Sequence, residues 1–227
     1  MDPDLSSLDR PRSGAAAQAT MRFLLRLRER GIANVAVLRA METLPRENFV
    51  PHRHADLAWR DIALPIPCGQ TMPQPYVVAR MMEALSLAPT HRVLEIGTGN
   101  GFSAAILARL AREVLSVERF QSLSVAAAAR LSRLRIDNAA VVWGDGLALP
   151  ADVGLFDRIL VQGVLDEVPQ RILELLAEGG IVVFGRRDHP GRATRLVRLV
   201  HGPAGFTEER VCACRLQDLI GGISAGS

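Results

Sequence analysis

Three carboxylates surround one glycine loop in this 227-residue chain. The loop, Gly97-Thr98-Gly99-Asn100-Gly101, follows the apolar run Val93-Leu94-Glu95-Ile96, so Glu95 stands just before it. Glu118 closes the next apolar run, Val114–Glu118, and Asp145 sits between Gly144 and Gly146 after a third, Ala139–Trp143. Glycines in such a loop let a ligand approach the backbone closely, and the start of the following helix offers free N–H groups. A dinucleotide site would space its glycines G-x-G-x-x-G; here the third comes one residue early and Phe102 follows it. Three carboxylates also suit a pyrophosphate badly. They suit a ligand with positive charge and no phosphate: Glu95 toward a cation or amine, Glu118 toward ribose hydroxyls, Asp145 toward an adenine amino group. S-adenosylmethionine has that chemistry, with a sulfonium, an ammonium, two ribose hydroxyls and an exocyclic amine.

The elements that must hold these groups alternate strand and helix. Strand Arg92–Ile96 leads to helix Phe102–Arg112, and strand Val114–Glu118 to helix Phe120–Leu134. Strands Ala139–Trp143 and Phe156–Val161 follow, then helix Pro169–Ala177 and strand Gly180–Phe184. Arg195–Val200 and Glu208–Leu216 add a closing β pair across Gly202-Pro203-Ala204-Gly205. That order predicts an α/β fold of Rossmann-like, doubly wound type: a mostly parallel seven-stranded sheet with helices on both faces and ligands at the C-terminal strand ends. Ahead of it, helical spacing runs from Ala15 to Gly31 and again, capped by Asn34, to about Leu44. A proline-rich connector then reaches the polar loop Cys68–Tyr76 and a helix over Val77–Leu87. The expected division is a disordered tail over 1–14, an N-terminal helical extension with a substrate-side loop over 15–90, the cofactor-binding core over 91–217 and a flexible tail over 218–227.

Composition removes other classes. With 48% hydrophobic but only 4% aromatic residues, the core is built from Ala, Val, Leu and Ile. No run approaches the ~20 apolar residues of a membrane span. Met1-Asp2-Pro3-Asp4 has no apolar run behind it, so the expectation is a cytoplasmic protein without a secretory signal or a membrane partner. Cys68, Cys212 and Cys214 are an odd number and form no disulfide framework. All 27 basic residues are arginine, offset by 24 acidic ones to a net +3, with no basic stripe for a nucleic acid. Arg22, Arg26 and Arg30 read as a solvated helix face. His52 and His54 lack a third ligand nearby, and no metal is expected.

The chain resembles the protein-L-isoaspartate O-methyltransferases, which are class I S-adenosylmethionine-dependent methyltransferases, from about Met41 to Leu216. The resemblance rests on Pro45-Arg46-Glu47-x-Phe49-Val50-Pro51, Ala55-Asp56, Leu64-Pro65-Ile66, Gly69-Gln70-Thr71-x-x-Gln74-Pro75-Tyr76, and Val93-Leu94-Glu95-Ile96-Gly97-Thr98-Gly99-x-Gly101. Glu118-Arg119, Gly144-Asp145-Gly146, Phe156-Asp157 and Val168-Pro169 complete it. The Gln-Thr loop is the most discriminating part. The resemblance implies methyl transfer from S-adenosylmethionine, with S-adenosylhomocysteine as product, to the free carboxylate of L-isoaspartyl residues in damaged proteins. The ester then collapses to a succinimide on the way to repair. It implies that Glu95, Ile96, Gly97, Thr98, Gly99, Gly101, Glu118, Arg119, Asp145, Gly146 and Tyr76 bind the cofactor. Gln70, Thr71 and position 73 would shape the acceptor site of a monomeric enzyme whose partners are isoaspartyl proteins or peptides.

Three departures fall on the acceptor side. Pro73 replaces the serine of the family's usual Gln-Thr-Ile-Ser-Gln-Pro loop and has neither hydroxyl nor N–H. Gln162-Gly163-Val164 replaces small residues such as Thr-Ala-Ala, and Cys214-Arg215-Leu216-Gln217 departs from Val-Arg-Phe-Val-Pro-Leu. Besides isoaspartyl methylation, the sequence therefore leaves open a paralogue with a different carboxylate or small-molecule acceptor, and a cofactor-binding protein without catalysis.

Overall fold

The computed structural model describes residues 14–187 and 194–225, so the expected N-terminal tail lies outside the described residues except for Gly14. Two short strands, β1 (Leu64–Ile66) and β2 (Gln70–Met72), come first. The main sheet is built from β3 (Arg92–Ile96), β4 (Glu113–Glu118), β5 (Ala139–Trp143), β6 (Phe156–Leu165), β7 (Leu176–Arg187), β8 (Thr194–Gly202) and β9 (Gly205–Cys214). Its seven strands lie in the order β5-β4-β3-β6-β7-β8-β9. β3 through β7 pair in parallel and β8 and β9 antiparallel, as the alternation predicts. A parallel sheet needs both faces covered. Val93, Val114 and Leu160 point into a core shared with helices α1 (Gly14–Glu29), α2 (Val35–Thr43), α3 (Pro75–Leu85), α4 (Phe102–Leu110) and α5 (Gln121–Arg133). Leu94, Val117, Ile159 and Val161 point the other way, onto α6 (Gln170–Leu173) and the segment behind it. This is the period of two that a strand imposes.

The extension is tied to the core by its own capping chemistry. Asn34 caps α2 through its Oδ1, which accepts from the Val37 amide at 3.2 Å. Pro75 takes the first turn of α3, where a missing N–H costs nothing, and Asp61 accepts from the Tyr76 amide at 2.9 Å. Arg46 is fully buried, donates from Nε to the Ala58 carbonyl and lies over the Phe102 ring at 4.9 Å, which fastens the connector to the first residue of α4. Burial lowers its pKa to about 9.

The structure departs from the sequence reading in three places. The connector contains a short hairpin, in which β1 and β2 pair antiparallel and turn through Cys68 and Gly69 at φ 61° and 64°. The expected helix over Pro169–Ala177 shrinks to α6, because the Leu175 carbonyl accepts from the Phe156 amide at 2.8 Å and Leu176 already pairs with β6. Lastly, the glycine-rich end expected as a flexible tail is hydrogen-bonded across the strand ends as far as Ser224. Leu219 and Ser224 donate to the carbonyls of Val164 and Arg119, and Gly222 donates to Asp145.

Candidate active site

A cavity of about 600 Å³ opens at the C-terminal ends of β4, β3 and β6, where an α/β sheet places its ligands. Its floor is the glycine loop with Gln162. One wall is the β1–β2 hairpin and Pro73; the other is the C-terminal segment Arg215–Ile220. The two walls meet where Gln217 Nε2 donates to the Gly69 carbonyl at 3.0 Å. This contact bridges the two walls as a roof over one side of the cavity.

The loop takes its shape from Glu118. This carboxylate is 4% exposed and accepts from the Gly99 amide at 2.7 Å and the Phe120 amide at 2.9 Å, one on each oxygen. Gly97, Gly99 and Gly101 all have positive φ, and a Cβ on Gly99 would stand 3.3 Å from Ile66 of the hairpin. The loop is thus pinned from the sheet side and crowded from the hairpin side.

Beneath the loop, Glu95 is completely buried. Its Oε2 accepts from Ser116 Oγ at 2.5 Å, its Oε1 accepts from Gln162 Nε2 at 3.2 Å, and Ser116 Oγ continues to Thr98 Oγ1 at 2.6 Å. Burial pushes the Glu95 carboxyl up to about 7, against the pull of the Ser116 and Gln162 hydrogen bonds and with help from the nearby Glu118 charge. Asp145 ends the row. Its Oδ1 accepts from the Leu147 amide at 2.9 Å and its Oδ2 from the Gly222 amide at 2.6 Å.

Of the residues expected at the site, Gln70, Thr71, Pro73, Gly97, Thr98, Gly99, Glu118 and Arg119 line one cavity. Glu95, Ile96, Gly101, Asp145 and Gly146 stand behind that lining. A Cβ on Gly146 would lie 2.5 Å from Ile96, and one on Gly101 would lie 3.2 Å from Ala127, so these two glycines allow close packing beneath the cavity. Gln70 turns its amide back to the Cys68 carbonyl at 3.1 Å, which rigidifies the hairpin. Arg119 donates from Nε to the Gly222 carbonyl at 3.0 Å and so holds the roof. Tyr76 is outside the lining: as the second residue of α3 it turns toward the segment just after α1, with the Arg30 guanidinium 3.7 Å from its ring centroid. Ile66, Phe102, Leu219 and Ile220 line the cavity although the sequence did not mark them as site residues. For the last two, the adjacent apolar pair in a polar, glycine-rich end was the available signal. Among the described residues, no three His, Cys, Asp or Glu side chains gather as a metal site.

Residues 18–198 match the family model described as protein-L-isoaspartate(D-aspartate) O-methyltransferase. The chain belongs to this family. A protein-L-isoaspartate O-methyltransferase 2 of Rhodopseudomonas palustris (strain HaA2) is 50% identical over 204 residues, covering 90% of this chain and 94% of that one. A protein-L-isoaspartate O-methyltransferase of Bradyrhizobium sp. (strain ORS 278) is 49% identical over 205 residues, with the same coverage. A solved protein-L-isoaspartate O-methyltransferase superposes with a TM-score of 0.79 at 26% identity, over 90% of this chain and 67% of that one. The fold is also that of a Plasmodium falciparum protein described as a putative member of the family, at a TM-score of 0.76 and 21% identity, over 88% of this chain and 97% of that one.

Proposed function

We propose that this chain transfers the methyl group of S-adenosylmethionine to the free α-carboxylate of L-isoaspartyl residues, as the first step of protein repair. The observation that carries this reading is the facing of the Gln70–Pro73 loop and the Gly97–Gly101 loop across one roofed cavity in a chain of this family. The residues fit the cofactor. Glycines at positive φ leave room beside the backbone, and Glu118 at the end of β4 lines the cavity as an acceptor for ribose hydroxyls, while Glu95 and Asp145 stand behind the lining and shape it. When bound, S-adenosylmethionine supplies a methyl on cationic sulfur, and the carboxylate oxygen takes it as the S–C bond breaks and its electron pair returns to sulfur.

An acceptor carboxylate is already ionised at neutral pH, so no side chain need act as a base. The chain's task is alignment and exclusion of water. Glu118 fixes the loop, Thr71 presents a hydroxyl at the mouth, and Arg119 with Gln217 keeps the roof closed. Within this reading, residues 91–217 carry the cofactor and 15–90 the acceptor wall, and the enzyme works as a cytoplasmic monomer on isoaspartyl proteins, without nucleic acid or membrane. The mixed charge of the chain, net +3, supports the absence of a nucleic-acid partner.

The test is methyl incorporation from S-adenosylmethionine into an isoaspartyl peptide and its aspartyl twin. Transfer to the first alone is expected. Transfer to neither, with turnover of another carboxylate, would instead favour the second reading that Pro73 motivates. Under the first reading, Pro73→Ser adds a donor at the mouth and raises kcat/KM for the isoaspartyl peptide by up to ~10-fold, the scale of one hydrogen bond.

A further inference from the structure

Gln162 sits where β6 loses its regular pairing. Leu160 is opposite Val183 and Val164 is opposite Gly185, so three residues of β6 face one residue of β7. Bulges of this sort occur beside active sites, where they re-aim a side chain. Here Gln162 is turned onto the floor of the cavity, its Cβ only 3.3 Å from where a Cβ on Gly97 would be. Its Nε2 donates to Glu95, but its Oε1 is buried without a partner. A buried unpaired acceptor in a native fold calls for an explanation.

The order of strands supplies one. Asp145 follows β5, Glu118 ends β4, the glycine loop follows β3 and Gln162 lies in β6, and β5-β4-β3-β6 are consecutive neighbours. A ligand with its ribose at Glu118 and its adenine beyond it, on the β5 side, runs across the glycine loop and delivers its far end to Gln162. Three inter-strand steps of ~4.8 Å each give the run a length of about 14 Å. The far end of S-adenosylmethionine is an amino acid whose ammonium carries three N–H donors.

We infer that Gln162 is a cofactor-binding residue whose Oε1 accepts from the ammonium of S-adenosylmethionine while its Nε2 stays on Glu95. The inference rests on the methyltransferase reading above and adds a residue that departs from the small side chains usual at this position. Holding both groups on one rigid amide places the ammonium beside the Glu95 carboxyl, the acid beneath the cavity floor. It also fixes the sulfur, a few bonds away, relative to the acceptor loop.

Calorimetric binding of two ligands tests it. S-adenosylhomocysteine keeps the amino-acid end and 5′-methylthioadenosine lacks it. Gln162→Met, which preserves length but removes the oxygen, should weaken S-adenosylhomocysteine at least ~10-fold, about 1.4 kcal/mol, and leave 5′-methylthioadenosine within about twofold. Gln162→Glu keeps an acceptor oxygen, can share a proton with Glu95 and should retain the preference for S-adenosylhomocysteine. Equal weakening of both ligands would show a residue that only shapes the site, and would overturn the inference. So would unchanged binding of both with a raised KM for the isoaspartyl peptide, since the orphan oxygen would then serve the acceptor's amide. Loss of the preference in Gln162→Glu would count against it equally. If the unsubstituted protein binds neither ligand, the methyltransferase reading itself fails.

Discussion

Glu95 has no contact with water, and its position sets a measurable pH signature. Its folded pKa of about 7 lies above the ordinary carboxyl value of 4.5. Between those limits the folded protein holds a proton that the unfolded chain has released. Stability contributed at this position therefore falls as pH rises through that window, and the loss is complete above about pH 7. Glu95→Gln removes the titration. Its amide can still accept from Gln162, and the Ser116 hydroxyl can reverse its bond with Thr98 to accept the new N–H. The stability of this variant relative to the parent is expected to grow from pH 5 to pH 8 in denaturant titrations. A difference that stays flat across that range would refute a buried, proton-holding Glu95.

The hairpin is the element least visible in the sequence. Leu64-Pro65-Ile66 and Gln70-Thr71-Met72 are three-residue strands with a proline in one of them, too short and too irregular for a period of two to show. What makes it a hairpin is its turn. Cys68 and Gly69 both adopt positive φ, the geometry that best matches strand twist, yet only glycine does so without cost. Cys68 bears a strain of about 1 kcal/mol, compensated in part by its Sγ lying 3.3 Å from Ser122 Oγ. Cys68→Asn, a residue that tolerates this conformation, is expected to raise Tm by ~2–4 °C, the shift for 1 kcal/mol at this chain length, with cofactor affinity unchanged. A lowered Tm would mean that the Ser122 contact outweighs the backbone strain. The parallel core, by contrast, was legible, because each strand there is a short apolar run followed by a helix of its own. α6 was overread because Leu175 and Leu176 extend a helical pattern while tertiary pairing with Phe156 claims them for the sheet.

At the scale of the molecule, the carboxylate row and glycine loop could be inferred from spacing alone, since strand ends converge wherever β and α alternate. The roof could not. Its glycines, serine and alanine have no periodicity, and what holds it comes from elsewhere in the fold: the Val164 and Arg119 carbonyls, the Asp145 carboxylate, the Arg119 guanidinium and the notch at Gly163, where a Cβ would fall 2.8 Å from Leu219. Removing residues from Asp218 onward deletes Asp218, Leu219 and Ile220 from one cavity wall and is expected to weaken S-adenosylhomocysteine binding at least ~10-fold, the equivalent of about 1.4 kcal/mol. An unchanged Kd would reduce the segment to a passive cover. The same arrangement makes the roof its own reporter. The amide hydrogens of Leu219, Gly222 and Ser224 are each bound to a different strand's end, β6, the turn after β5 and the residue after β4. Isotope exchange at those three positions therefore resolves which strand end lets go first when a ligand enters, and Gly222 alone reads out the Asp145 carboxylate.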